Sequence, residues 1–341
     1  MPPAFGLNRF DYRSPGAFAE HSKRAEDLGY GWAFIPSSPL RRMDPYVMLA
    51  SVAQATERIG LGPLIENPVT RHPTAIASSI ATIDAIAPGR VLLGYGVGDT
   101  AVRLAGLRPA RVAELEDAAR LTRTLLGGES IDVGAAQRAR LPHARPVPVW
   151  IAAGGPRTLR MAGRVADGVF VRVGTHAENL RIAVEAIREG AVEAGRDPAE
   201  VRLAAVFHTA LEDDPEIAGR IARSIAAGYY EYSPMLFEQA GLAWNGPDVH
   251  ELKQKVWPDF HHHPDLEESG ALVDFLSEEV ADAFALHGPG EQVAEQLQGI
   301  LDRFEFDIVV PQPMLPRSRQ EEIVSDGYMA AIAQSVIARL T

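Results

Sequence analysis

Three short segments of this chain put chemistry-bearing residues where a strand gives way to a loop. The first is Leu93-Gly94-Tyr95-Gly96-Val97-Gly98-Asp99, an apolar strand running into glycines and then a carboxylate. Its glycines alternate. They do not follow the spacing that lays a pyrophosphate on a helix start, so a nicotinamide cofactor in a doubly wound sheet is disfavoured. Asp99 at the end of such a strand is either a proton donor and acceptor or a helix cap. The second segment is Ala152-Ala153-Gly154-Gly155-Pro156-Arg157. Two glycines and a proline ahead of a helix either cradle an anion on free N–H groups or turn a corner. The third, Leu64-Ile65-Glu66-Asn67-Pro68-Val69-Thr70-Arg71-His72-Pro73, offers Arg71 and His72 either as polar contacts to a ligand or as a cap for the following helix.

The elements that must position these segments follow an α/β rhythm of apolar runs and helical periods. Strands are expected at Ala4–Asn8, Trp32–Ile35, Ile59–Ile65, Arg90–Gly96, Val149–Ala152, Val169–Val173, Arg202–Phe207 and Asp307–Val310. Ser14-Pro15, Asp44-Pro45 and Pro156 open helices, and Thr175 with Glu178, then Asp197 with Glu200, read as capping boxes. A terminal helix is expected over Ser318–Leu340. Eight such units point to a single (β/α)8 TIM barrel, residues 1–341, with a helical insertion after strand seven over about 210–286. Within that insertion Tyr229, Tyr230, Tyr232, Phe237, Trp244, Trp257 and Phe260 either line a pocket as a lid, pack the inserted helices, or form an interface.

Composition narrows the chemistry. The chain has 341 residues, 46% hydrophobic and 23% charged, which is globular rather than disordered. No segment approaches a membrane span and MPPAFGLNRF is no signal segment, so a cytoplasmic location is expected. With no cysteine there is no disulfide, thiolate metal site or cysteine nucleophile. A net charge of −12 disfavours nucleic acid and anionic membranes and favours a small-molecule substrate. His261-His262-His263 sit at neighbouring positions, which rarely converge on a metal, so none is expected. His208, at the end of strand seven, is either a satisfied structural histidine or one that faces the site.

Taken together, the three segments resemble the luciferase-like superfamily, and within it the deazaflavin branch of methylenetetrahydromethanopterin reductase type. Gly89-Arg90 and Leu125 to Glu129 extend the likeness, as does the run from Pro148 to Gly168. The resemblance implies an oxidoreductase that exchanges a hydride between coenzyme F420 and an organic substrate, or an FMN-dependent monooxygenase as in sister branches. It implies a bulge in strand three with a non-prolyl cis peptide at Leu64-Ile65, a cofactor phosphate at Gly154-Gly155-Pro156, and homodimers. Cofactor contacts are accordingly expected from Ser37, Leu64, Ile65, Gly96, Val97, Gly98, Ala153, Gly154, Gly155 and Pro156, and catalysis from Asp99 and His72. The chain departs from the branch where Pro36-Ser37-Ser38 replaces Asp-His and where Asn8 replaces a Glu, which makes pterin reduction doubtful and leaves Asp99 as the remaining acid.

Overall fold

The computed structural model describes residues 2–8, 13–132, 134 and 137–341. Five helices start in the same way, with a cap residue followed by proline: α1 (Pro15–Asp27), α2 (Pro45–Ala55), α3 (Pro73–Ile86), α6 (Pro156–Val165) and α8 (Pro215–Tyr232). Proline has no N–H to lose at that position and its fixed φ already suits the helix. Ser14, Asp44 and Asp214 supply the side-chain acceptor; Asp44 Oδ1, for example, accepts from the N–H of Tyr46 at 2.9 Å.

The chain divides into two compact units. One comprises residues 6–170 and 186–204, the other residues 1–5, 171–185 and 205–341.

The first unit carries β1 (Ala4–Asn8) from Gly6 on, β2 (Trp32–Ile35), β3 (Gly60–Pro63), β4 (Leu93–Tyr95), β5 (Val149–Ala153) and most of β6 (Gly168–Val171). Gly6 pairs with Trp32, Trp32 with Gly60, and Leu93 with Val149, all parallel. Isolated parallel bridges, Leu61 to Val91 and Glu66 to Tyr95, join β3 and its extension to the β4 region. Phe170 fills the interior between Phe34 and Trp150, with ring centroids at 5.5 and 5.1 Å. Besides α1, α2, α3 and α6 this unit holds a short α4 (Thr100–Leu104), which the sequence pattern did not reveal, and α5 (Val112–Leu126).

In the second unit Ala4 of β1 pairs with Ile308 of β9 (Ile308–Pro313), and β7 (Arg202–Leu211) pairs with the short β8 (Leu286–Gly288). All these pairs are parallel as well. The strand order, β3-β2-β1-β9-β7-β6-β5-β4 with β8 beside β7, is that of an α/β barrel, as the repeating pattern predicts. Strand β7 runs four residues beyond its expected end, and β8 is a ninth strand that three residues were too few to signal. Helix α7 (Ala177–Glu193) spans both units, and the inserted region is helical as expected: α8, α9 (Met235–Gln239), α10 (Val249–Lys253), α11 (Leu266–Ala271) and α12 (Glu278–Phe284), ahead of α13 (Gly290–Leu301).

Three local expectations are corrected. Thr175 does not cap α7, because its hydroxyl donates to the Asp282 carbonyl instead. Asp197 caps only a single 3₁₀ turn, Pro198–Glu200. The terminal helix is broken at Ser325-Asp326, and Ala333–Ile337 widens into a π turn.

One buried carboxylate anchors the turn between α2 and β3. Glu26 Oε2, on α1, accepts from the backbone N–H groups of Arg58 and Ile59 at 2.6 Å each and of Glu57 at 3.3 Å. Burial pushes its carboxyl up, but these three donors and the Arg58 guanidinium outweigh it and hold the group below the ordinary range. Glu26→Gln should lower the unfolding free energy at pH 7 by about 2 kcal/mol, since hydrogen bonds to charged groups contribute most. A folded-state pKa below the unfolded one gives stability that is complete above the unfolded value and lost as pH falls through the folded one. The gap between wild type and variant, measured by urea denaturation, should therefore close on acidification below about pH 5.

Candidate active site

Every residue expected from the sequence to bind cofactor or act in catalysis lies in the first unit. They sit at or just beyond the C-terminal ends of β2, β3, β4 and β5, the end of parallel strands where barrel enzymes build their sites.

The end of β3 is the organising feature. The Leu64-Ile65 peptide is cis, at the position the resemblance implied. Leu64 N–H donates to the Ile35 carbonyl at 2.9 Å, and Ser37 N–H to the Ile65 carbonyl at 3.2 Å, so the β2 loop is stitched to the bulge. On the other side Glu66 N–H donates to the Gly94 carbonyl at 2.8 Å and Gly96 N–H to the Glu66 carbonyl at 3.0 Å.

The alternating glycines follow from this geometry. A Cβ on Gly94 would stand 2.4 Å from the Pro63 carbonyl oxygen, one on Gly96 1.9 Å from Ile65 Cδ1, and one on Gly98 2.8 Å from Asn67 Cβ. Gly98 also has φ +74°, which other residues rarely adopt. Gly94 and Gly96 thus make room for the chain's own β3 bulge, and Gly98 for Val102 and Asn67.

The run from Asn67 to Pro73 is a scaffold. Asn67 Oδ1 accepts from the N–H of Val69 and of Thr70 and from the Thr70 hydroxyl, at 2.8 to 3.1 Å, and so shapes the turn. Arg71 pairs with Asp44, lies over the Tyr46 ring at 4.8 Å and reaches Glu66 at 3.8 Å. His72 is the N-cap of α3, its Nδ1 facing the Thr74 hydroxyl at 2.8 Å and accepting from the Thr74 N–H at 3.3 Å. Arg71 thus braces the turn and His72 caps α3. A cavity of about 500 Å³ opens beside this run, lined by Pro68, Val69, Pro73, Leu107, Ala118 and Leu121, with Arg108, Glu114 and Asp117 as its charged members.

Glu66 is the residue that sequence reasoning passed over. It is fully buried, and its Oε2 has no hydrogen bond of normal geometry, while Oε1 accepts from the Asn67 N–H at 2.9 Å. Burial pushes its carboxyl up; the Asn67 N–H, the Ser37 hydroxyl, the Arg71 charge and the Tyr46 hydroxyl pull the other way. The available signal was an acid directly after the apolar run Leu61–Ile65, where burial is the default.

Asp99 lies in the open. Its side chain is 42% exposed, Oδ1 meets Arg103 Nε at 2.6 Å, and although it precedes α4 it makes no capping hydrogen bond. Gly155 precedes α6 without a side-chain cap, a Cβ there would meet nothing within 4 Å, and Arg157 is exposed one residue into the helix. Free N–H groups, open space and a guanidinium at the start of a ten-residue helix suit a phosphate.

A family model described as luciferase-like monooxygenase matches residues 5–304. The chain belongs to this family. It is 28% identical over 339 residues to 5,10-methylenetetrahydromethanopterin reductase of Methanopyrus kandleri, covering 92% of this chain and 93% of that protein. It is 35% identical over 187 residues to F420-dependent glucose-6-phosphate dehydrogenase of Nocardia farcinica, covering 50% and 55%. Among solved structures, the coenzyme F420-dependent tetrahydromethanopterin reductase of Methanopyrus kandleri superposes with a TM-score of 0.76 at 25% identity, over 100% of both chains.

The outer residues of the insertion pack on each other: Tyr230 stacks on Trp244 at 4.4 Å, and Phe237 on Phe284 at 4.7 Å, while Trp257 is 69% exposed. His262 pairs with Asp259 at 2.8 Å and His263 Nδ1 faces the Asp265 carbonyl at 2.6 Å, so the triplet's rings turn to separate partners. Among the described residues no helix is long and apolar enough to cross a membrane.

If Gly96 exists to admit Ile65, then Gly96→Ala should lower the melting temperature and cofactor affinity, and shortening the obstacle should restore both. The double variant Gly96→Ala with Ile65→Val, which removes the Cδ1 methyl, is expected to recover at least half of the loss in a thermal melt. Gly94→Ala, which meets backbone, should find no such rescue and cost about 1–3 kcal/mol.

Proposed function

We propose that this chain is a coenzyme F420-dependent oxidoreductase acting on a small organic substrate. The observation that carries the reading is the braced β3 bulge, Ile65 seated on Gly96 and Glu66 bridged to Tyr95, in a chain that matches F420-dependent reductases over nearly its whole length. When bound, the deazaflavin supplies the hydride-exchanging ring carbon. The protein's residues bind and orient. Leu64 and Ile65 offer the apolar face of the bulge, and the backbone of Gly96, Val97 and Gly98 forms the adjoining wall. Ser37 stands over the Ile65 carbonyl. The uncapped α6 start at Ala153-Gly154-Gly155-Pro156 takes the phosphate, with the Arg157 charge beside it.

Proton handling falls to Asp99. Reduction of a carbonyl, imine or activated alkene leaves negative charge that a proton must quench, and Asp99 is the carboxylate accessible at the end of β4. Glu66 is fully buried and braces Asn67 and Arg71, while the exposed His72 uses Nδ1 to cap its helix, which makes His72 the candidate next after Asp99. Arg103 Nε meets Asp99 Oδ1 at 2.6 Å and so orients the carboxylate.

The reading is tested by titrating the purified protein with F420 and, separately, with FMN. F420 is expected to bind at least ten-fold tighter; tight FMN binding without deazaflavin affinity would overturn the proposal in favour of a monooxygenase fed by a reductase. Asp99→Asn keeps size and hydrogen bonding but removes the titratable proton. Its turnover should fall by roughly 10²- to 10⁴-fold with F420 affinity within two-fold of wild type. A loss of turnover that only tracks lost cofactor binding would instead mark Asp99 as structural.

A further inference from the structure

Glu66 places a fully buried carboxyl one residue beyond the Leu64-Ile65 peptide, and the groups around it serve it with or without a proton. Oε1 accepts from the Asn67 N–H at 2.9 Å, while Oε2 has no hydrogen bond of normal geometry. The Ser37 hydroxyl, from the loop after β2, and the Tyr46 hydroxyl, from α2, both lie toward the carboxyl, and the Tyr46 oxygen is itself buried without a normal partner. A hydroxyl can donate or accept. To a carboxylate both donate; to a proton on Oε2 either oxygen is an acceptor. All of these residues belong to the first unit.

The other titratable side chains packed on Glu66 keep their charge state. Burial, with the Glu66 charge next, holds the Tyr46 phenol well above its usual range, and burial also raises Tyr95 of β4, whose hydroxyl meets Thr122 at 3.0 Å. Arg71, from the turn before α3, reaches Glu66 Oε2 at 3.8 Å and stays charged, with the exposed Asp44 as its other partner. The charge that can change inside the cluster is that of Glu66. Burial pushes its carboxyl up towards that change, against the pull of Asn67, Ser37, Arg71 and Tyr46. Ser37 carries the consequence to the platform: it is 7% exposed, and its N–H donates to the Ile65 carbonyl at 3.2 Å.

We infer that Glu66 is a positioning residue that sets the hydrogen-bond polarity of this wall. With a proton on Glu66, the Ser37 hydroxyl is free to donate to an acceptor on the ligand; without one, Ser37 donates to the carboxylate and offers the ligand only lone pairs. A cofactor that carries a phosphate and ring carbonyls is negative and rich in acceptors. It favours the first state, and so draws a proton from solvent onto a Glu66 oxygen as it binds. The proton uptake rests on the F420 reading; the coupling of Glu66 to Ser37 does not.

The first measurement is infrared difference spectroscopy across pH on the full chain without cofactor, which sees the carboxyl band of a buried, protonated Glu. That band should titrate above the ordinary carboxylate range and be absent from Glu66→Gln. In Ser37→Ala and in Tyr46→Phe, each of which removes a donor that favours the charged form, the midpoint should move up. The second is calorimetry of F420 binding in two buffers of different ionisation enthalpy, just above that midpoint. Wild type should take up more of a proton than Glu66→Gln. Its affinity should fall about ten-fold as pH rises through the midpoint, while that of Glu66→Gln stays within about two-fold, in variants whose thermal melts show them folded. A carboxyl that does not titrate in wild type, a midpoint that Ser37→Ala leaves in place, or a Glu66→Gln protein that keeps the wild-type pH profile overturns the inference. If the protein binds no F420 at any pH, the F420 reading falls, and the infrared titration alone decides whether Glu66 governs Ser37.

Discussion

Much of the site depends on one steric constraint: the end of β3 and the start of the β4 loop occupy space that only glycine leaves free. Gly94 admits the Pro63 carbonyl and Gly96 admits Ile65, and the backbone of Glu66 then bonds to β4 on both sides, to the Gly94 carbonyl and the Gly96 N–H. A close approach of this kind leaves no slack in either strand, because packed interiors tolerate little change in volume. It fixes Leu64 and Ile65 as a platform, sets the direction in which β4 leaves towards Asp99, and ties Ser37 of the neighbouring loop to the same bulge.

The residues that made the sequence resemble its family are mostly the ones that hold this platform. Asn67 turns the chain, Arg71 braces Asp44, Tyr46 and Glu66, and His72 with Pro73 starts α3. None of these needs a ligand to explain it. A motif can identify a site through residues that hold its backbone, because positions that must be held to a fraction of an ångström demand particular side chains to hold them. The buried Glu66 fits this picture. Its Oε1 and the Asn67 N–H close the turn, and its desolvation is offset by the Ser37, Tyr46 and Arg71 groups around it.

The strand and helix alternation was legible in the sequence because parallel buried strands read as short apolar runs and because cap-Pro pairs mark helix starts. Ser14-Pro15 and Asp44-Pro45 needed nothing but local chemistry. Where expectation failed, a distant partner decided. Thr175 has the form of a cap, yet the Asp282 carbonyl, over a hundred residues away, takes its hydroxyl. The short β8 is held by three residues of β7 and has no pattern of its own. The glycines of β4 were visible as a pattern, but their reason was not, since it lies in what Pro63 and Ile65 do in three dimensions.

The two units divide the chemistry in an informative way. In the first, almost every charge near the site has a partner: Arg71 with Asp44, Arg103 with Asp99, Arg108 with Glu114. In the second, Arg172 and the His208 and Tyr229 side chains are arranged so that donors outnumber acceptors. Paired charges keep their geometry whether or not a ligand is bound, which suits a cofactor platform that must be ready before substrate arrives.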